Sequence, residues 1–462
     1  MKNYNKLIKN TGIFTIANFG SKILTVLLVP FYTHVLTTEQ FGRVDIITNT
    51  ISLILPIISL SIFEAILRFT MDVEDDEKEV FSSGMLVVVL GIIVSLILMY
   101  FINFIPIFNN YAVYIFLILN FQSINTAFSQ FVRAIGKVRL FAFNGMLNTF
   151  ILLISNVILL GNFRMGIEGY LISIILANFL CSIHVFIRAK IWRYFSLKAY
   201  DFNLIKRMLK YSIPLIPNSI MWWIMNLLDR YVIMLSLGLN YNGIYAVANK
   251  IPSFLKVFHS IFAQAWQLSA IEEVNSKDKE KFYSTVFNTY SACLFIVISA
   301  IIVPIKFLIT YLFDSSYSEA WTSIPFLLLA VMFSSFSSFL GTNYIAMKKT
   351  NGVFKTSMVG AIINLIFNFL LIGKLKLVGA AIATMLSFLV VWILRIKDTK
   401  SFINIHIDKI RMFLSFCIII IQIILLFLNI RLEIFVQLCL MMILIITNLK
   451  YFYQFVLKLK KD

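Results

Sequence analysis

Residues 85–102 read Met-Leu-Val-Val-Val-Leu-Gly-Ile-Ile-Val-Ser-Leu-Ile-Leu-Met-Tyr-Phe-Ile, an apolar run without a single charge. As a helix this run is about 27 Å long, close to the roughly 30 Å hydrocarbon thickness of a bilayer. Similar runs fill the 462-residue chain, which is 60% hydrophobic and 13% charged and has a mean hydropathy of +0.89. Since soluble domains are about half apolar and a quarter charged, we predict an all-α integral membrane protein.

About 14 runs are long enough to cross a membrane as helices, and none shows the alternation of barrel strands. The predicted spans are residues 11–36, 44–68, 81–104, 111–133, 140–161, 167–189, 212–236, 243–268, 283–309, 320–346, 353–373, 377–396, 410–430 and 432–450.

The positive charges indicate an orientation for these spans. Most of the 40 Lys and Arg residues lie in loops on one side of the predicted membrane, the side that also holds both termini. Cytoplasmic loops carry such an excess, so both termini are predicted to be cytoplasmic. The net charge of +18 is attributed to this topology and not to nucleic-acid binding.

The chain also aligns with itself. A shift of 201 residues places Gly42 on Gly243, and further along a shift of 212 places Asn156 on Asn368. This series predicts two six-helix lobes related by a pseudo-two-fold axis along the membrane normal, as in many transporters that alternate access. The predicted divisions are an N-terminal lobe at 1–195, a C-terminal lobe at 205–398, and two additional helices with a basic tail at 410–462.

Several cations fall inside the predicted spans. Charge at membrane depth is costly and indicates a functional site. Arg68 and Lys306 lie near helix ends, where a long side chain can reach the head groups. Four others lie on helices that the repeat relates to one another, and we predict that they form a cationic substrate-binding cavity: Lys22, Arg230, Lys250 and Lys256. Arginine and lysine in such a cavity suit an anionic head group such as a phosphate.

Few acids accompany these cations. Glu64 and Arg68 are four residues apart in acid-first order, which predicts a structural ion pair on one helix face. Asp229 precedes Arg230, and because neighbouring helical residues do not face each other, another helix must supply its partner. Asp229 and Asp45, together with the titratable His259, are candidates for ion coupling.

Other chemistries have no signature in the sequence. No phosphate-binding loop, metalloprotease motif, hydrolase motif or metal-ligand spacing is present, and the four cysteines have no redox spacing. We therefore predict no catalytic residues, no metal and no cofactor, and a protein that is not an enzyme.

Three stretches resemble a known family. The first is residues 20–42, Gly-Ser-Lys-Ile-Leu-Thr-Val-Leu-Leu-Val-Pro-Phe-Tyr-Thr-His-Val-Leu-Thr-Thr-Glu-Gln-Phe-Gly. The second is Ala-Ile-Leu-Arg-Phe at 65–69, and the third is Asp-Arg-Tyr at 229–231 followed by Gly-Ile-Tyr-Ala-Val-Ala at 243–248. Together they resemble the polysaccharide transporter family, the Wzx-type flippases of the MOP superfamily, over nearly the whole chain.

The resemblance implies a flippase for undecaprenyl-diphosphate-linked oligosaccharides, the repeat units of O-antigen, capsule or exopolysaccharide. It implies alternating access in the bacterial cytoplasmic membrane, driven by an ion gradient. The implied partners are the anionic lipid-linked oligosaccharide, membrane lipid, and polysaccharide polymerase and chain-length proteins.

Other functions remain open at this point. A multidrug exporter of the same superfamily would favour an anionic pocket for cationic drugs. A flippase for the peptidoglycan lipid precursor would share the cationic cavity. From a different class, a membrane glycosyltransferase or polymerase is disfavoured by the short outer loops and the repeat.

Overall fold

The computed structural model describes residues 28–72, 75–196, 199–273, 276, 278–347, 351–428, 430 and 432–459. Within these ranges every regular element is a helix and no strand occurs. The first helix, α1, covers residues 28–35. The other helices are α2 (Thr38–Ile58), α3 (Ile62–Thr70), α4 (Glu77–Ile102), α5 (Ala112–Ala134), α6 (Val138–Asn156), α7 (Gly166–Ala189), α8 (Phe202–Ser212), α9 (Leu215–Leu237), α10 (Leu239–Glu273), α11 (Lys279–Ile302), α12 (Ile305–Leu312), α13 (Ile324–Ala346), α14 (Asn351–Thr399), α15 (Lys409–Leu428) and α16 (Glu433–Leu459). Short helical turns lie at Asn109–Tyr111, Val157–Asn162, Ile191–Arg193 and Ser315–Thr322.

Eleven helical stretches in the described part of the chain are long and apolar enough to cross a membrane. The predicted class, an all-α multi-pass membrane protein, is confirmed. The predicted count of about 14 spans is not confirmed. Most of the span predicted at 11–36 lies outside the described residues, and α10, which contains the span predicted at 243–268, is not among the eleven.

One predicted span, 44–68, is two helices in the structure. Pro56 lies in the last turn of α2, where proline removes an amide donor and weakens the helix. The chain then turns through Leu60 and Ser61, both at a φ of +50°, before α3 begins. Gly91 of α4 packs at this break, since a Cβ on it would lie 2.7 Å from the carbonyl oxygen of Ile58.

α14 is a hairpin of two helical arms. Its backbone leaves the helical region at Lys376, with φ +49° and ψ −129°. A Cβ on Gly379 would overlap the carbonyl oxygen of Leu371, which in a straight helix would be about 12 Å away. The arms therefore run side by side, and they correspond to the predicted spans 353–373 and 377–396.

The chain forms two compact units, Met1–Ala246 and Val247–Asp462. The core of the first includes Phe81 and Phe131, whose rings lie 4.4 Å apart. The core of the second includes Trp266 stacked on Phe339 at 4.2 Å. The unit boundary falls after α9 and the start of α10, beyond the linker that the repeat suggested. The division into lobes at 1–195 and 205–398 stays a prediction.

The segment before α15 is hydrogen-bonded along α11 in the second unit. The amides of Asn404, His406 and Asp408 donate in turn to side chains one helical turn apart: Glu280 Oε1 at 3.2 Å, Ser284 Oγ at 2.8 Å and Asn288 Oδ1 at 3.2 Å. Two residues of extended chain and four residues of helix both advance about 6–7 Å. Every second amide of the extended segment therefore meets a side chain one turn further along α11, and this pairing fixes the start of α15.

Within the second unit, two charged side chains, Asp408 and Lys306, contact α16. The Tyr451 hydroxyl of α16 donates to the Asp408 carboxylate, and this hydrogen bond lowers the pKa of Asp408. Lys306, predicted to reach the head groups, instead contacts Glu433 at 3.0 Å and lies over the Trp321 ring.

Candidate functional site

Three helix segments of the first unit meet around a buried carboxylate. The start of α2 is fixed by a capping box, in which Gln40 N donates to Thr37 Oγ1 and Thr37 N donates to Gln40 Oε1. This places Asp45 two turns into α2. α9 ends at Gly238, whose φ of +95° lets the chain turn directly into α10 at Leu239.

The centre of the site is an ion pair between α2 and α9. The Arg230 guanidinium Nε lies 2.7 Å from Asp45 Oδ2, and the two side chains are only 8% and 11% exposed. Asn49 Nδ2, one turn along α2, donates to the same oxygen at 3.0 Å. A pair this deep is stabilising only while both members are present, because removing one leaves the other charge buried.

A second carboxylate, Asp229, adjoins this pair. Its Oδ1 accepts from the backbone amide of Arg230 at 2.9 Å, and its Oδ2 accepts from the hydroxyl of Tyr245 on α10 at 2.5 Å. The prediction that another helix supplies its partner is confirmed. With Asp45 and Asp229 ionised, the cluster holds two negative charges and one positive charge, a formal excess of one negative charge.

Polar contacts extend the site along α2 and α9. The Tyr231 hydroxyl lies 2.6 Å from Thr50 Oγ1. Nearer the start of α9, Trp223 Nε1 donates to the backbone oxygen of Asn49 at 3.0 Å and to Ser52 Oγ at 3.2 Å. The facing sides of these two apolar helices are therefore joined by hydrogen bonds, not by packing alone.

The other predicted site residues are placed as follows. Lys22 lies outside the described residues. Lys250, half-buried, and Lys256, exposed, lie on the part of α10 that belongs to the second unit. His259 is also in the second unit, with Nδ1 2.6 Å from the Tyr290 hydroxyl. Asp45, Asp229 and Arg230 lie in one cluster, and the convergence of the four cations stays a prediction.

The predicted pair of Glu64 and Arg68 is wrong. Arg68 Nη1 instead contacts Asp72 Oδ2 at 3.3 Å, with side chains 56% and 42% exposed. Arg68 has a carboxylate one turn away on each side. Asp72 lies beyond the end of α3, so its carboxylate is not held to the helix surface and can move to the guanidinium.

We expect small effects from this pair, because exposed ion pairs contribute about 0–1 kcal/mol. Asp72→Asn should lower stability by no more than about 1 kcal/mol, and Glu64→Gln should leave it unchanged. Thermal unfolding of the purified protein at low and high salt measures both. A larger loss for Glu64→Gln than for Asp72→Asn would contradict the observed pairing.

Sequence reasoning missed five participants in the site. Asn49 and Tyr245 contact the carboxylates, and Asn242 donates from α10 to the Gly42 carbonyl oxygen at 2.9 Å. Gly42 and Gly243 bring the backbones of α2 and α10 together. The sequence did single out the two glycines, because the internal repeat aligns them. Alignment of two positions does not show that they are in contact in the fold.

Solved membrane transporters share this arrangement of helices. The chain superimposes on the lipid II flippase MurJ in its inward closed conformation with a TM-score of 0.73, at 14% identity, covering 96% of this chain and 99% of that one. It superimposes on the inward-facing conformation of a multidrug resistance MATE family transporter of the MOP superfamily with a TM-score of 0.65, at 14% identity over 84% and 98% of the two chains. The chain therefore shares the helical fold of these two proteins.

Residues 7–267, more than half of the chain, match the family model described as polysaccharide biosynthesis protein. The chain belongs to this family.

Two curated relatives also match. The uncharacterized membrane protein MJ1068 of Methanocaldococcus jannaschii is 29% identical over 166 residues, 34% of this chain and 32% of that protein. The probable low-salt glycan biosynthesis flippase Agl15 of Haloferax volcanii is 23% identical over 213 residues, 46% of this chain and 45% of that protein. The chain thus spans less than half the length of either relative.

Proposed function

We propose that this protein is a flippase that moves a polyprenyl-linked oligosaccharide across the membrane by alternating access, and that it carries out no covalent chemistry. Membership of the polysaccharide biosynthesis family carries the proposal, and the glycan flippase among its relatives agrees with it. The substrate we favour is the undecaprenyl-diphosphate-linked repeat unit of O-antigen, capsule or exopolysaccharide in a bacterial cytoplasmic membrane. A polymerase and chain-length proteins would then act on the product.

Arg230 is the residue we assign to the lipid diphosphate. The side chain is 8% exposed, and its guanidinium contacts Asp45. A diphosphate forms stronger, bidentate contacts with guanidinium than one carboxylate oxygen does, so the head group would replace Asp45 as the partner of Arg230. Lys22, Lys250 and Lys256 are proposed to complete the cationic cavity.

The same exchange gives a route to ion coupling. When the head group binds Arg230, Asp45 and Asp229 lose their shared counter-charge. Two uncompensated carboxylates at this depth are strongly disfavoured. Uptake of a proton or a small cation by Asp45 and Asp229 would restore neutrality, so each transported head group would be linked to an entering ion. His259 is the alternative titrating group.

The rival functions differ in what they require of this cluster. A drug exporter for cations would have no use for Arg230 as a ligand. A peptidoglycan-precursor flippase would use the cluster in the same way and would differ only in the attached sugar. A glycosyltransferase or polymerase would release or extend a glycan and leave its sidedness unchanged.

The test uses the purified protein in vesicles that contain a fluorescent undecaprenyl-diphosphate oligosaccharide, with transport followed by quenching of the outer leaflet. We expect the quenched fraction to change with time under a proton or sodium gradient, and to stop changing when the gradient collapses. Vesicles without protein are the control. Faster movement of the peptidoglycan precursor would favour that rival, and no movement of either lipid would refute the flippase. Undiminished flipping without any gradient would refute the coupling.

A further inference from the structure

Two glycines cross at backbone contact in the first unit. A Cβ on Gly42 of α2 would overlap the carbonyl oxygen of Leu239 and lie 2.8 Å from Gly243 N. A Cβ on Gly243 of α10 would overlap the carbonyl oxygen of Thr38 and lie 3.1 Å from Gly42 N. Each helix therefore presents its glycine to the first turn of the other.

These contacts are reciprocal in the numbering of the repeat. Gly42 and Gly243 are 201 residues apart, and so are Thr38 and Leu239. When residue i contacts j′ and its equivalent i′ contacts j in the same way, the two contacts are related by a two-fold axis. A pseudo-two-fold axis of the kind predicted from the internal repeat would pass through this crossing.

Polar contacts between small side chains accompany the crossing. Thr38 Oγ1 donates to Asn240 Oδ1 at 3.1 Å, and Asn242 Nδ2 donates to the Gly42 carbonyl oxygen at 2.9 Å. The Asp45–Arg230 pair lies one turn further along α2. Contacts between backbones and small side chains can separate and re-form without repacking large side chains, whereas an added methyl group would hold the helices apart.

We propose that the crossing of Gly42 and Gly243 is the point at which the two predicted lobes close at the membrane face where α2 and α10 begin, and that it must open for the glycan to leave there. This inference rests on the proposed flippase function and assigns these two glycines as the closing surface. By the charge distribution of the loops, that face is the outer one.

The test is a disulfide across the crossing, in the full chain with its four native cysteines replaced by serine. Thr38→Cys with Asn240→Cys should cross-link rapidly on mild oxidation, stop flipping, and regain it when reduced. A second set adds Gly42→Ala or Gly243→Ala to this pair, and each should slow cross-linking by about tenfold or more, since overlap with backbone disfavours closure by at least about 1.4 kcal/mol. Gly145→Ala is the matched control, because nothing lies within 4 Å of a Cβ there, and it should cross-link at the parent rate.

Each outcome bears on the crossing separately from the transported lipid. If the cysteine pair fails to cross-link, if the cross-linked protein still flips, or if Gly42→Ala cross-links like Gly145→Ala, the proposal is overturned. The cysteine pair alone contains no glycine change, so its result remains a valid test even if an alanine variant does not fold. The cysteine pair could cross-link rapidly, and more slowly with either alanine change, while the protein flips none of the tested lipids. That result would count against the flippase function and leave the crossing supported.

Discussion

Arg230→Met is expected to abolish flipping and to destabilise the protein by about 3–5 kcal/mol, since it leaves the Asp45 carboxylate buried with amide partners only. Asp45→Asn is expected to destabilise the protein less, because Asp229 adjoins Arg230 and remains as a counter-charge for the buried guanidinium. The double variant Asp45→Asn with Arg230→Met removes one charge of each sign and leaves Asp229 with its hydrogen bonds to Tyr245 and the backbone. It should recover the part of the lost stability that comes from the unpaired Asp45 carboxylate. Thermal unfolding in detergent measures this cycle.

The flipping assay separates a structural role of Arg230 from binding of the head group. If Arg230 binds the diphosphate, the double variant stays inactive although it is more stable than Arg230→Met. Arg43→Gln is the matched control: Arg43 also lies on α2, but its pair with Glu39 is partly exposed, 27% and 55%, at 3.1 Å, and losing it should have a small effect. A double variant that is both stable and active would show that Arg230 serves only to neutralise Asp45.

How much of this site the sequence could predict depends on the range of each interaction. Depth in the membrane follows from position within an apolar run, so Asp45, Asp229 and Arg230 were identified as buried ions from local sequence alone. Position within an apolar run does not show which ions form a pair, because the pairing depends on how helices far apart in the chain pack together. Asp229 illustrates this: its need for a partner on another helix was predictable, and the identity of Tyr245 was not.

The fold shows the same limit at its helix breaks. Hydropathy predicted one span at 44–68 because the residues at the break between α2 and α3 are as apolar as a membrane helix. Leu60 and Ser61 adopt positive φ without any glycine to signal it, and only Pro56 indicated a bend. At Lys376 the turn was predicted correctly, because two lysines interrupt the apolar run between the arms of α14.

Arg395 is the subject of the second large expected effect. The side chain is 2% exposed and joins three helical segments of the second unit. Nη1 donates to the Ser337 carbonyl oxygen of α13 at 2.7 Å. Nε donates to Thr356 Oγ1 at 3.1 Å and Nη2 to Ser357 Oγ at 3.1 Å, both on the first arm of α14, while Arg395 itself lies on the second arm.

Arg395→Leu should lower stability by about 3 kcal/mol or more, because each hydrogen bond from a charged donor contributes about 1.5–3 kcal/mol and its partners are left buried. Arg395→Lys keeps the charge but lacks the planar fork that reaches Thr356, Ser357 and Ser337 together, so its loss should be intermediate. The control is Arg188→Leu, an exposed arginine. Thermal unfolding and the yield of inserted protein measure the series. Equal unfolding temperatures for Arg395→Leu and Arg188→Leu would mean that the guanidinium does not hold the α14 hairpin against α13, and that apolar packing alone closes it.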